Sequence, residues 1–347
     1  MSAVLRDAFR EQAGHCAALD SPFMARLLTL LAGDWPEDTK LSRKLTGFPG
    51  DIGPMGASLP LRVAGGLHAL HLQGIDPDLS AVYPPANPPE DLFRSAIIYA
   101  LYAHDTFLTD WVTHAPQTNE LRRAAALIAG TRLLTTAFDL PIRVSELGAS
   151  AGLNLMFDQF ALETSQERLG PDTSTLTLSP DWTGPLPEGP ASRIIERRGV
   201  DLNPLNPRSE DGRLRLMAYL WPDQVDRLAR TRAAIAAHDA EVDKGDAIDW
   251  LAGRLEHEPG RMHLIYHTIA WQYFPAEAQK HGTSLIEAAG KRATDDAPLA
   301  WLRMEGDDAI PGAALDLRLW PGDRHIQLGR IDFHGRWINW TGPFTLT

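Results

Sequence analysis

The residues best equipped for chemistry lie near the middle of the chain, in the run Val144-Ser145-Glu146-Leu147-Gly148-Ala149-Ser150-Ala151-Gly152-Leu153-Asn154. Ile142 to Leu147 is a short apolar strand, small residues follow it, and a helix is expected over Leu153 to Leu162. Small residues let a backbone approach a ligand closely, and unpaired N–H groups at a helix start favour negative or polar groups. Three further sets follow in order. Gly199-Val200-Asp201-Leu202 ends the strand expected over Arg193 to Leu202. Gly245-Asp246-Ala247 ends another, Glu241 to Gly245, and His267 is the first polar side chain after the apolar Met262 to Tyr266. In open α/β sheets ligands bind beyond the carboxyl ends of strands, where all of these fall. A histidine there is suited to proton transfer, because its unperturbed pKa is about 6.5.

The run from Glu146 resembles the first motif of Rossmann-like, class I S-adenosylmethionine-dependent methyltransferases. Glu146, Gly148 and Gly152 match, and Ser150 stands where the middle glycine is commonest. The resemblance implies S-adenosylmethionine as cofactor, held by Glu146, Gly148, Ser150, Gly152 and Asn154. It also implies Asp201 on the ribose hydroxyls, Asp246 at the adenine amino group, and methyl transfer to a small molecule beside His267. Substrate contacts are expected from Gln117 and Asn119, whose segment leads into the first strand, from Tyr273, and from Arg336, a possible carboxylate clamp. The gap from Glu146 to Asp201 exceeds one helix and a loop. A Gly-, Pro-, Thr- and Ser-rich insertion at about 165–191 accounts for it and reads as a hairpin over the site.

The same letters, Gly148-Ala149-Ser150-Ala151-Gly152, fit G-x-S-x-G, the nucleophile elbow of a serine hydrolase, with His267 or His334 to close a triad. That fold needs strands and an oxyanion loop upstream, where this chain reads as helical. A third reading is a methyltransferase-shaped binding protein without catalysis. The chain also resembles one bacterial family, the domain of unknown function numbered 2332. The likeness is carried by Gln117-Thr118-Asn119-Glu120, Glu146 to Leu155, Arg198 to Pro204, Leu220 to Gln224, His267 to Tyr273 and His334-Gly335-Arg336-Trp337. It supports a coherent fold and supplies no substrate.

The positioning elements fall into two classes. Residues 1–140 read as a helical N-terminal domain: Ala3 to Leu19, Phe23 to Ala32 behind the cap Ser21-Pro22, Leu61 to Leu72, Asp91 to Val112, and Gln117 to Phe138 capped by Thr118. Residues 141–347 alternate strand and helix, which predicts a mostly parallel sheet. Its later elements are Ala276 to Arg292, Leu299 to Met304, and a closing antiparallel pair, Leu315 to Trp320 and Ile326 to Phe333. Trp221-Pro222-Asp223-Gln224 reads as a helix break with Asp223 capping the segment after it. Glu305-Gly306-Asp307 reads as a solvated loop.

Composition narrows the classes further. The 347 residues carry a formal net charge of -12, which disfavours nucleic-acid binding. One cysteine, Cys16, leaves no internal disulfide or cysteine-based zinc site. His257, His263 and His281 lack metal-ligand spacing, so no metal is expected. The charged first helix is not a signal peptide, and no apolar run spans a bilayer, so a cytoplasmic location is expected.

Overall fold

The computed structural model describes residues 2–54, 56–117 and 119–346. The chain forms two compact units, Met1–Thr118 with Asn206–Arg232, and Asn119–Leu205 with Ala233–Thr347.

The first unit is helical. Ser2 and Ser21 cap Ala3–Ala18 and Pro22–Gly33, the second with proline at its start. Lys40–Thr46 and Leu59–Leu72 follow. The long helix expected over Asp91 to Val112 is instead two, Glu90–Ala103 and Asp105–Trp111. The break at His104 has a cause: its ring pairs with Asp76 at 3.0 Å, while the Asp105 carboxylate accepts from the amides of Lys40 and Leu41 at 2.8 Å. Asp223 also differs from expectation. It caps Pro22–Gly33 from outside, accepting from Ser21 Oγ at 2.6 Å and from the Phe23 amide at 2.9 Å. Leucines on the helices' inner faces form a continuous apolar core.

The second unit is mixed α/β. Its strands in chain order are β1 (Ile142–Leu147), β2 (Ala161–Glu163), β3 (Arg168–Leu169), β4 (Thr177–Leu178), β5 (Asp181–Thr183) and β6 (Ile194–Asp201). They continue with β7 (Glu241–Lys244), β8 (Met262–Thr268), β9 (Leu299–Glu305), β10 (Ala313–Trp320), β11 (Arg324–Ile331) and β12 (Trp337–Trp340). Nine form one sheet in the order β5-β12-β11-β10-β9-β8-β1-β6-β7. From β7 to β9 the pairs are parallel; β9 to β12 form an antiparallel meander. The closing pair expected from the sequence, β10 and β11, is therefore extended by β12. Every residue of β1 and β8 is buried, as strands covered on both faces require. The chain builds outward from β1 to β6 and β7, then returns to place β8 on the other side of β1. The order thus reverses between β1 and β8, and such a switch point opens a crevice at the carboxyl ends.

Three elements depart from the sequence reading. The helix expected at Leu153 to Leu162 is a 3-10 segment, Leu153–Gln159, that runs straight into β2. The helix expected from Gln117 begins later, as a 3-10 turn Leu121–Arg123 followed by Ala124–Ala137, and Thr118 lies outside the described residues. The insertion forms no hairpin over the crevice. It builds the small sheet β3-β2-β4 and then sends β5 to pair with β12, so that the short β5 becomes the edge of the main sheet.

Candidate functional site

After β1 the backbone turns through three left-handed residues, Gly148 (φ 72°), Ser150 (φ 53°) and Gly152 (φ 73°). Space as well as dihedral demands both glycines. A Cβ on Gly148 would lie 2.6 Å from that of Ala270, and one on Gly152 would lie 2.7 Å from Val242 Cγ2. Ser150 tolerates its conformation because its amide donates to Asp201 Oδ2 at 2.9 Å.

The loop's amides are not free, contrary to expectation. Gly148 and Ala149 both donate to the Val200 carbonyl, and Gly152 donates to the Ala149 carbonyl. Leu153 donates to Asn119 Oδ1 at 2.8 Å, and Asn119 Nδ2 returns a bond to the Ala149 carbonyl at 3.3 Å. A turn with these donors occupied is no phosphate cradle. Asn119, expected to touch substrate, is instead 8% exposed and serves as the loop's brace. Asn154 lies behind it, 2% exposed, donating to the Glu120 carbonyl with its Oδ1 unpartnered.

Four of the expected residues, Gly148, Asp201, Asp246 and Tyr273, line one cleft of about 150 Å³ at the carboxyl ends of β1, β6 and β7. Val200 and Ile248 contribute buried apolar surface, and Phe274, Pro275 and Ala278 form the opposite wall. Leu202 and Tyr273 stand at the lip, 64% and 66% exposed. Among the described residues no lysine, arginine or histidine lines this cleft. Asp201 Oδ1 accepts from the Asn203 amide at 2.9 Å, so each of its oxygens holds one backbone donor and keeps capacity for another. Asp246 caps helix Ala247–Ala252, with Oδ1 accepting from Ile248 at 2.8 Å and Asp249 at 3.1 Å.

Glu146 does not reach the cleft. It is 2% exposed beneath the loop, with Oε2 unpartnered. Burial pushes its pKa up to about 8; the nearby Tyr266 hydroxyl works the other way, and Asp201 adds to the rise. The Tyr266 hydroxyl itself completes no well-formed hydrogen bond.

The structure corrects the catalytic assignment of His267. Its ring is fully buried and stacks on Trp271 with centroids 4.9 Å apart. Trp301 Nε1 donates to His267 Nε2 at 3.0 Å, and Nδ1 bonds Glu305 Oε1 at 2.6 Å. No ring nitrogen is left for a substrate. Arg336 is likewise spent: it grips Asp332, four residues back, at 2.8 Å and pins the closing turn. Gln117 belongs to the first unit. A serine–histidine contact, Ser145 Oγ to His263 Nε2 at 2.8 Å, is sealed in the core, with Arg254 Nε donating to the same hydroxyl at 3.1 Å.

Glu305, read from the sequence as solvated loop charge, instead accepts from His267 and from three backbone amides. The available signal was an acidic residue at the end of the fifth parallel strand. Leu202 and Phe274 were missed as cleft residues because an apolar side chain carries no chemical mark in a sequence.

This is a mixed α/β protein whose crevice, at the carboxyl edge of a mostly parallel sheet, is acidic and apolar. The chain belongs to the family described as an uncharacterized protein conserved in bacteria (DUF2332), whose sequence model matches residues 6–340. No curated protein and no solved structure matches it. Among the described residues no helix is long and apolar enough to cross a membrane, and no group of three His, Cys, Asp or Glu is placed to hold a metal ion.

Proposed function

We propose that this protein binds S-adenosylmethionine in the cleft beside Gly148 and transfers its methyl group to a small molecule. The observation that carries the reading is a cleft with two acidic side chains, apolar walls and no basic residue, at the ends of three parallel strands. Cofactors with phosphates call for basic groups or free loop amides; no basic side chain lines this cleft, and the five loop amides named above are already bonded. A nucleoside with a cationic tail suits it better. The strand order β7-β6-β1-β8-β9 supports a Rossmann-like reading, since it is the 3-2-1-4-5 order of dinucleotide-binding sheets.

The residues present fit such a ligand. The unused acceptor capacity of Asp201 would take ribose hydroxyls, and Asp246 Oδ2, outside the cap, would take an adenine amino group. Tyr273, Phe274 and Ile248 would cover the ring faces. When bound, the cofactor supplies an electrophilic methyl group on sulfur. The protein's part is to hold and align, which is where methyl transfer gains most. With His267 committed to Glu305 and Trp301, no base is assigned.

The serine hydrolase reading retains one point, the left-handed backbone of Ser150, which a nucleophile elbow shares. It loses His267 as a base for the reason above. The test of the preferred reading is calorimetric titration with S-adenosylmethionine and S-adenosylhomocysteine, with melting temperature as a second readout. Heat of binding and a concentration-dependent rise in Tm are expected, and Gly148→Val should abolish both, because its side chain would strike Ala270. Silence at millimolar ligand would refute the reading.

A further inference from the structure

The wall of the cleft carried by Tyr273, Phe274 and Pro275 grows out of a strained turn. Ile269 has φ 54°, a conformation that β-branched residues adopt only when their surroundings impose it. Most of what imposes it converges on one side chain. Glu305 Oε1 accepts from the amides of Ala270 and Trp271, each at 3.0 Å, and Oε2 accepts from Gln272 at 3.3 Å. Gln272 Oε1 in turn accepts from the Gly306 amide at 2.9 Å, and the Ile269 amide donates to the Met304 carbonyl at 2.8 Å. The turn is thus tied to the end of β9 by five hydrogen bonds.

Glu305 is itself aimed. An indole N–H only donates, so the bond from Trp301 Nε1 makes His267 Nε2 an acceptor and places the ring proton on Nδ1, facing Glu305 Oε1. The Trp271 ring closes the arrangement by stacking on His267 at 15° between planes. The consequence reaches the cleft directly. Ala270 is pressed against Gly148, and the residues that follow it turn outward as the cleft's far wall.

We propose that Glu305 is a positioning residue: through the Trp301–His267–Glu305 chain it sets the place of the Ile269-to-Pro275 wall, and so the width of the cleft against Gly148. The effect on ligand rests on the nucleoside reading given above; the effect on the wall does not. Glu305→Gln in the full chain keeps the volume and one acceptor oxygen but removes the second acceptor and the charge. S-adenosylhomocysteine should then bind on the order of tenfold to a hundredfold more weakly, the range of one lost charged hydrogen bond. Hydrogen exchange at the Ala270, Trp271 and Gln272 amides should quicken, while β1 and β8 keep their protection. A fall in Tm with both affinity and local exchange unchanged would make Glu305 merely structural and overturn the proposal. If the wild-type protein binds neither nucleoside, the functional reading fails separately. Exchange then decides alone: amides at 270–272 no faster in the variant than in the wild type would overturn the positioning role. Should Glu305→Gln fail to fold, Trp301→Phe removes the donor that orients His267, together with part of the ring that packs edge-on against Trp271. It should shift the same amides in the same direction by a smaller factor, and no shift would count against the proposal.

Discussion

Glu146 illustrates what a single residue reveals and hides. Its type and its place at the end of β1 were legible in the sequence, and its seclusion was not, because burial depends on what the rest of the chain lays over it. Sealed at 2% exposure, its carboxyl has a pKa pushed up to about 8, chiefly by burial. The folded state therefore keeps a proton that the unfolded chain loses near its ordinary value. The contribution is complete below the ordinary carboxylate range and declines as pH rises toward 8. Stability should accordingly fall over that interval, by on the order of a few kcal/mol from this group. Glu146→Gln should flatten the slope, as seen in denaturant midpoints measured across the same pH range; an unchanged slope would show that the proton is not held there. Glu305 carries the opposite sign. Burial works to raise its pKa, but the bonds from His267 and the backbone hold it below the usual range, so its contribution is present above that range and lost on acidification. Asp201 and Asp246 were read correctly as strand-end acids. The bond from the Ser150 amide to Asp201 was not foreseen, since it joins segments 51 residues apart in the chain; the cap that Asp246 forms on the helix after it has a sequence signature that the strand-end reading passed over.

At the scale of elements, legibility follows burial. β1 and β8 are buried along their whole length, and their bounds could be read almost to the residue. The segment after the loop could not. Leu153 to Leu162 is apolar enough for a helix, yet Phe160 turns extended and the chain enters β2, because the insertion pairs with it. The short pairing of β5 with β12 was equally invisible, since three-residue strands carry no period to detect. Asn119 shows the same limit in a side chain: its polar type suggested a ligand contact, whereas the fold uses both ends of its amide to brace the loop. Asn119→Ala should cost about 1–3 kcal/mol in denaturant unfolding, the usual penalty for stranding a buried partner. Asn119→Asp keeps the acceptor for the Leu153 amide but turns a buried carboxylate oxygen on the Ala149 carbonyl, so it should cost at least as much; a smaller cost than alanine's would mean that the Ala149 bond contributes nothing. Ser150 tests the element's chemistry. An organophosphonate probe should leave it unlabelled, and Ser150→Ala should fold and bind nucleoside like the wild type. Covalent labelling at Ser150 that the alanine variant abolishes would restore the hydrolase reading.

Across the whole molecule, the charge distribution and the cleft point to the same kind of ligand. The chain carries a formal charge of -12, and the cleft adds Asp201 and Asp246 without a lysine, arginine or histidine in its lining. A negative field lowers the local concentration of anions and raises that of cations. The loop reinforces this selection, because five of its amides are already bonded within the protein and none of those is left to neutralise a phosphate. Three adenine-bearing ligands separate the contributions. S-adenosylmethionine has a sulfonium and a net positive charge, S-adenosylhomocysteine is neutral overall, and ATP is strongly anionic. If the cleft recognises the nucleoside by shape and the tail by charge, affinity should fall in that order, with ATP showing no measurable binding. Added salt should weaken S-adenosylmethionine more than S-adenosylhomocysteine, since screening removes only the Coulombic part. Asp246→Asn leaves the helix-capping oxygen in place while removing a charge, and it should narrow the gap between the two nucleosides. Titration calorimetry at low and high salt measures all of these. Tight binding of ATP, or an affinity order indifferent to charge, would mean that the acidic cleft is not where the nucleoside sits.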